Sequence, residues 1–162
     1  RQDAFDLGLD EQRYLDRCRL KTATLFECAC LLGRDDPQLR EFGARVGLAF
    51  QLLDDVLDVS GPPERTGKAR GTDLLDGTVT LPLIEAAKTE PTLRETDLRA
   101  LDAAAAEALC DRIAATGALD TVRSRALEMV AAGKRALAGA SFDAEQKRLL
   151  ELVADGVVQR YS

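Results

Sequence analysis

From Gly43 to Val59 apolar residues recur every three to four positions, and no proline interrupts before Pro62, a spacing that predicts a helix. At about 100° per residue, Gln51, Asp54, Asp55 and Asp58 share one arc about 100° wide. Val46, Leu48, Ala49, Phe50, Leu52, Leu53, Val56, Leu57 and Val59 cover most of the remainder. A helix that is apolar nearly all round is a buried helix. The pattern therefore predicts three carboxylates facing the interior, where they repel one another and lose hydration. Asp58 also lies close to the Gly61-Pro62-Pro63 terminator, at the helix end where the macrodipole disfavours anions by about 0.3–1 kcal/mol each. Both features ask for positive charge. One turn back on the same arc, Gly43, Ala44 and Gly47 leave room for a slender apolar ligand or a closely packed neighbouring helix.

The same period predicts a helix over Asp10–Leu32, with Leu15, Cys18, Leu25, Ala29 and Leu32 on its apolar face and only Thr22 interrupting. Gly33 ends it. Asp35-Asp36 before Pro37 reads as the start of the next helix, Pro37–Val59, rather than as chemistry. Asp73 to Gly77 reads as a short turn, and Thr80 as the cap of a helix that carries Pro82 in its first turn and runs to about Lys88. Three amphipathic helices follow, over about Asp97–Ala115, Ala118–Ala138 and Asp143–Arg160, with Gly117 and Gly139 at the breaks and Ser141 or Asp143 as the last cap. No segment alternates as a strand does. The fold class is all-α.

Composition narrows the functions. A net charge of −6 over 162 residues, with no basic patch large enough for a phosphate backbone, argues against nucleic acid. No apolar run approaches the ~18 residues that span a bilayer, so a soluble cytoplasmic protein is expected. Cys28 and Cys30 point to different sides of a predicted helix and Cys18 and Cys110 are isolated, so the four cysteines read as small buried hydrophobes. The chain begins at Arg1 and its single methionine is Met129, which reads as part of a longer chain.

The spacing D-D-x-x-D puts Asp54 and Asp58 one turn apart with Asp55 alongside, so oxygens of neighbouring turns can share hard divalent cations. Mg²⁺ typically takes one or two protein carboxylates and completes its octahedron with water and phosphate. The loop Ser60 to Thr72 carries Gly61, Gly67 and Gly71 with Arg65, Lys68 and Arg70, a basic segment suited to phosphate oxygens. A solvated acidic helix end followed by an ordinary surface loop is the bland alternative. Lys21 is flanked on its own helix by Tyr14, Leu25 and Cys28, and reads either as a lysine that lays its stem on the core or as an anion ligand.

FQLLDDVLD followed by GKARGTDLLDGTVTLPLI resembles the second aspartate-rich region of the trans-isoprenyl diphosphate synthases, the polyprenyl synthetases. Lys21-Thr22 in RCRLKTATLF is similar to that family's Lys-Thr pair, and LVADGVVQR to its C-terminal helix. One departure stands out. Thr78 occupies the position where the family usually has a lysine, which removes a cation that Arg70 is placed to replace. The resemblance implies a helical bundle of the isoprenoid synthase type, of which residues 1–162 are the C-terminal half of a single domain, the first aspartate motif lying upstream. It implies a prenyltransferase joining isopentenyl diphosphate to an allylic diphosphate with Mg²⁺ as cofactor, a homodimer when complete and inactive as this piece alone. Asp54, Asp55 and Asp58 become metal ligands; Lys21, Thr22, Gln51 and Lys68 become catalytic residues around the leaving diphosphate. Arg160 resembles a basic C-terminal residue that approaches the second diphosphate, though a cation at a helix end needs no such role. A terpene cyclase of the same fold and a regulatory subunit of a heteromeric synthase remain the alternatives.

Overall fold

The computed structural model describes residues 4–61 and 69–161. Lys68, Arg65 and Gly67 lie outside the described residues. Among these every regular element is helical: α1 (Glu11–Cys18), a π-helical turn (Arg19–Ala23), α2 (Thr24–Gly33), α3 (Pro37–Ser60), α4 (Thr72–Leu75), α5 (Leu81–Thr89), 3-10 turns at Pro91–Glu95 and Leu98–Ala100, α6 (Ala103–Ala115), α7 (Ala118–Ala138) and α8 (Ala144–Arg160). Asp36 starts α3 as expected, its Oδ1 accepting from Gln38 N at 2.8 Å. Asp143 starts α8 with a full capping box, its carboxylate taking Gln146 N at 2.8 Å while the Gln146 side chain takes Asp143 N.

Two boundaries differ from expectation. The helix predicted from Asp97 begins at Ala103, because two aspartates each open a helical start: Asp97 accepts from Arg99 N at 3.0 Å and Asp102 from Ala105 N at 2.8 Å. Thr80 precedes α5 but makes no side-chain cap bond and is buried instead.

The larger departure lies between α1 and α2. Tyr14, Cys18 and Ala23 are buried, with Phe26, Glu27 and Cys30 half-buried. The step of five from Cys18 to Ala23 spans the π turn, whose extra residue rotates everything after it by about one residue's angle. Leu25 and Leu32, expected inside, are 67% and 85% exposed, and Ala29 and Cys28 are exposed with them. The apolar series through Thr22 was thus a false face. Cys18 and Cys110 are buried as expected, but Cys28 is not.

The chain divides into two compact units. The first joins the chain up to Tyr14 to Asp54–Arg123, with Val56, Val59, Leu74, Leu81, Leu93 and Ile113 in its core. Here Gly77 has φ 69° and donates no room: a Cβ there would fall 2.3 Å from Phe5 Cε1. Phe5 N donates to Gly77 O at 2.7 Å and Arg99 lies 4.6 Å from the Phe5 ring. The second unit joins Leu15–Leu53 to the chain from Ser124, with Phe42, Val46, Ala49, Leu52, Val130 and Leu137 in its core. There α2 and α3 meet at two glycines. A Cβ at Gly43 would sit 2.8 Å from Phe26 O, and one at Gly47 2.8 Å from Ala23 Cα. Of the two uses foreseen for these small residues, the close helix contact is the one realised at Gly47. Gly43 also borders an apolar cavity of about 640 Å³ lined by Phe26, Cys30, Phe42, Leu149 and Val153.

Candidate functional site

In the first unit α3 ends in its three aspartates, which stand in three different environments. Asp55 is 2% exposed, Asp58 is half-buried and Asp54 is exposed. The expectation that all three face the interior is therefore corrected at Asp54, the outer edge of the arc; Asp58 is half covered, Gln51 is buried, and Asp55 passes under other chain. There Tyr14 Oη donates to Asp55 Oδ2 at 2.5 Å.

Asp58 has a structural duty as well. Its Oδ2 accepts from Asp73 N at 3.2 Å, its carbonyl accepts from Gly71 N at 2.9 Å, and Thr72 N also favours its charged form. Gly71, at φ 72°, turns the chain so that α4 starts over this carboxylate. Burial nevertheless pushes the Asp58 carboxyl up to about 6, and the charges of Asp73 and then Asp54 add to the rise, against the backbone donors. The end of α3 is thus crowded with negative charge.

Among the described residues no group of three or more His, Cys, Asp and Glu side chains is gathered as a ready metal cage. The donor chemistry fits a hard cation all the same. All the candidates offer carboxylate oxygens, Asp54 and Asp58 lie close enough to repel, and Mg²⁺ needs only one or two such ligands when phosphate and water supply the rest.

Arg70 lies against the end of α3. Arg70 Nε donates to Val59 O at 2.8 Å, and its guanidinium pairs with Asp111 at 2.9 Å. Arg70 is therefore a clamp on the helix end, and the idea that it replaces the lysine missing at Thr78 is corrected. Thr78 is half-buried and donates its backbone N–H to Asp73 O at 2.7 Å.

In the second unit Lys21 and Thr22 occupy the π turn, Lys21 exposed and Thr22 half-buried. Thr22 Oγ1 donates to Gln51 Oε1 at 2.8 Å, and Gln51 is 7% exposed. Two of the four catalytic candidates are thus joined directly, with the glutamine oxygen accepting. Arg160 lies 5.6 Å from the Phe50 ring, which in turn stacks edge-on to Tyr161.

Sequence reasoning missed Tyr14 and the π turn. The signal for the first was a lone aromatic in the otherwise polar stretch EQRYLDRC. For the second there was none, because a regular apolar series ran straight through it.

A family model described as polyprenyl synthetase matches residues 2–116. A geranylgeranyl diphosphate synthase of Methanosarcina mazei is 34% identical, over 93% of this chain and 48% of that protein. The heptaprenyl diphosphate synthase structure from Staphylococcus aureus matches at a TM-score of 0.88 and 24% identity, over 99% of this chain and 54% of that one, a likeness of fold. The polyprenyl synthase from Caulobacter crescentus CB15, complexed with calcium and isoprenyl diphosphate, matches at 0.82 and 34% identity, over 98% and 52%. The chain spans about half the length of the relatives it matches. Its described residues form an all-α fold of the isoprenoid synthase type. With the family model covering most of its length, the chain belongs to the polyprenyl synthetase family.

Proposed function

We propose that this chain is the C-terminal half of a single-domain trans-prenyltransferase that joins isopentenyl diphosphate to an allylic diphosphate, and that Asp54, Asp55 and Asp58 hold its Mg²⁺. The observation that carries the reading is Asp58, whose carboxyl is pushed up to about 6 by burial and by neighbouring carboxylates. Such crowding at a helix C-terminus is relieved by a cation. The calcium and isoprenyl diphosphate in the Caulobacter complex support the choice of a hard divalent ion and a diphosphate.

In this reading Mg²⁺, when bound, supplies the charge stabilisation that lets a diphosphate leave. The chain's own residues arrange the rest. Asp55 stays fixed under Tyr14, and Asp58 links the end of α3 to the start of α4. Thr22 holds the Gln51 side chain, Lys21 stands exposed as an anion ligand, and Lys68 is its counterpart from the loop. The first metal-binding helix and the isopentenyl diphosphate pocket belong to the rest of the protein, so the 162 residues alone are inactive. Among the described residues no helix is long and apolar enough to cross a membrane. The complete protein is proposed to act in the cytoplasm as a homodimer.

The test is turnover of radiolabelled isopentenyl diphosphate by the full-length protein. Elongated linear diphosphates are expected. Asp54→Ala should lower turnover sharply at limiting Mg²⁺; turnover unchanged there would remove the metal role.

A further inference from the structure

Tyr14 is 1% exposed, yet it stands in a helix whose sequence is otherwise mostly charged or polar. Phenylalanine would fill the same space. The hydroxyl adds a bond to a residue 41 positions away in the chain, the 2.5 Å donation to Asp55 Oδ2. That length is in the range of a charge-assisted O–H···O⁻ bond, about twice as strong as a neutral one. With Oδ2 engaged, the carboxylate cannot turn freely about its last torsion, so the lone pairs of its other oxygen keep one direction. Carboxylates that bind metals are commonly held by such a donor, and its loss costs about 10–100-fold in affinity.

We propose that Tyr14 is a positioning residue for the metal site, holding the Asp55 carboxylate in the orientation in which it meets a divalent cation. The inference rests on the reading of Asp55 as a metal-holding residue. The role proposed for Tyr14 is exerted through Asp55.

The experiment follows Mn²⁺ binding to the intact protein with inorganic pyrophosphate present, by electron paramagnetic resonance. It compares wild type, Tyr14→Phe, Asp55→Asn and the double variant. Tyr14→Phe is expected to weaken Mn²⁺ binding about 10-fold and to raise the Mg²⁺ needed for half-maximal turnover by the same factor. Turnover at saturating Mg²⁺ should fall by less than about threefold, and the substitution should add nothing to Asp55→Asn. A tyrosine with only a packing role would lower the melting temperature and leave Mn²⁺ affinity at the wild-type value, which overturns the proposal. If Asp55→Asn weakens Mn²⁺ and Tyr14→Phe does not, the tyrosine's role alone is lost. If neither does, the metal reading of Asp55 falls and takes this inference with it. Should Tyr14→Phe fail to fold, 3-fluorotyrosine placed at residue 14 keeps the hydroxyl and reports by ¹⁹F resonance. The signal is expected to shift when Mg²⁺ and pyrophosphate are added, and not to shift in Asp55→Asn; an unmoved signal in the wild-type background overturns the proposal.

Discussion

The α2–α3 seam of the second unit and the acidic end of α3 in the first are secured by opposite means. At the seam, Gly43 and Gly47 let one helix press against the backbone of another, with no side-chain bond from either glycine to fix it. At the acidic end, position is set by directional bonds: Tyr14 to Asp55, Asp73 N to Asp58, and Arg70 to Val59 O. Close packing leaves no slack and gains stability from it. The polar end is aimed by these bonds and gathers the carboxylates of Asp54, Asp58 and Asp73 close enough to repel. One helix therefore has a stretch held by contact area and a stretch held by direction.

The largest effect should come from spoiling the seam. Gly47→Val places branched carbons against Ala23 Cα, 2.8 Å from the first of them, and should cost about 3 kcal/mol in denaturant unfolding. Gly133→Ala is the matched control: its Cβ meets nothing nearer than 3.5 Å, so it should stabilise α7 by about 0.5–1 kcal/mol. Equal behaviour of the two would show that the seam is not tight. Next, Gly77→Ala meets the Phe5 ring and a φ of 69°, and should cost about 2 kcal/mol. Phe5→Ala should relieve the steric part and leave the backbone part.

At the acidic end the effects are smaller and depend on pH. Between 3.8, the ordinary value, and about 6, the folded state holds a proton on Asp58 that the unfolded chain has released. Stability from this group is therefore full below that window and declines as pH rises through it. Melting temperatures of the metal-free protein should show this decline, and Asp58→Asn, which keeps an acceptor for Asp73 N, should flatten it. A slope that survives the substitution would assign the titration elsewhere. Smallest of all, Asp111→Ala removes a pair whose carboxylate is 69% exposed and should cost less than about 1 kcal/mol, while Arg70 keeps its bond to Val59 O.

The helical class, the span of α3 and the caps at Asp36 and Asp143 were legible in the chain, because each rests on local chemistry: a 3.6-residue period, or a carboxylate beside free N–H groups. So was the arc of Gln51 and the aspartates. Its direction was not, since a wheel says which residues share a side but not what covers that side. Asp54 turned out exposed and Arg70 engaged for the same reason: burial and pairing depend on residues far along the chain, such as Tyr14 and Asp111.

The π turn at Arg19–Ala23 also bears on how this protein tolerates change. A helix that holds one residue more than a regular winding allows counts length before it counts identity. Swapping a side chain there alters a single contact, and deleting one residue lets a regular winding carry Phe26 and Cys30 on the same inner side, whereas inserting one would spin the following helix by nearly a third of a revolution. Insertions in those few codons should thus be far rarer among functional variants than replacements or single deletions.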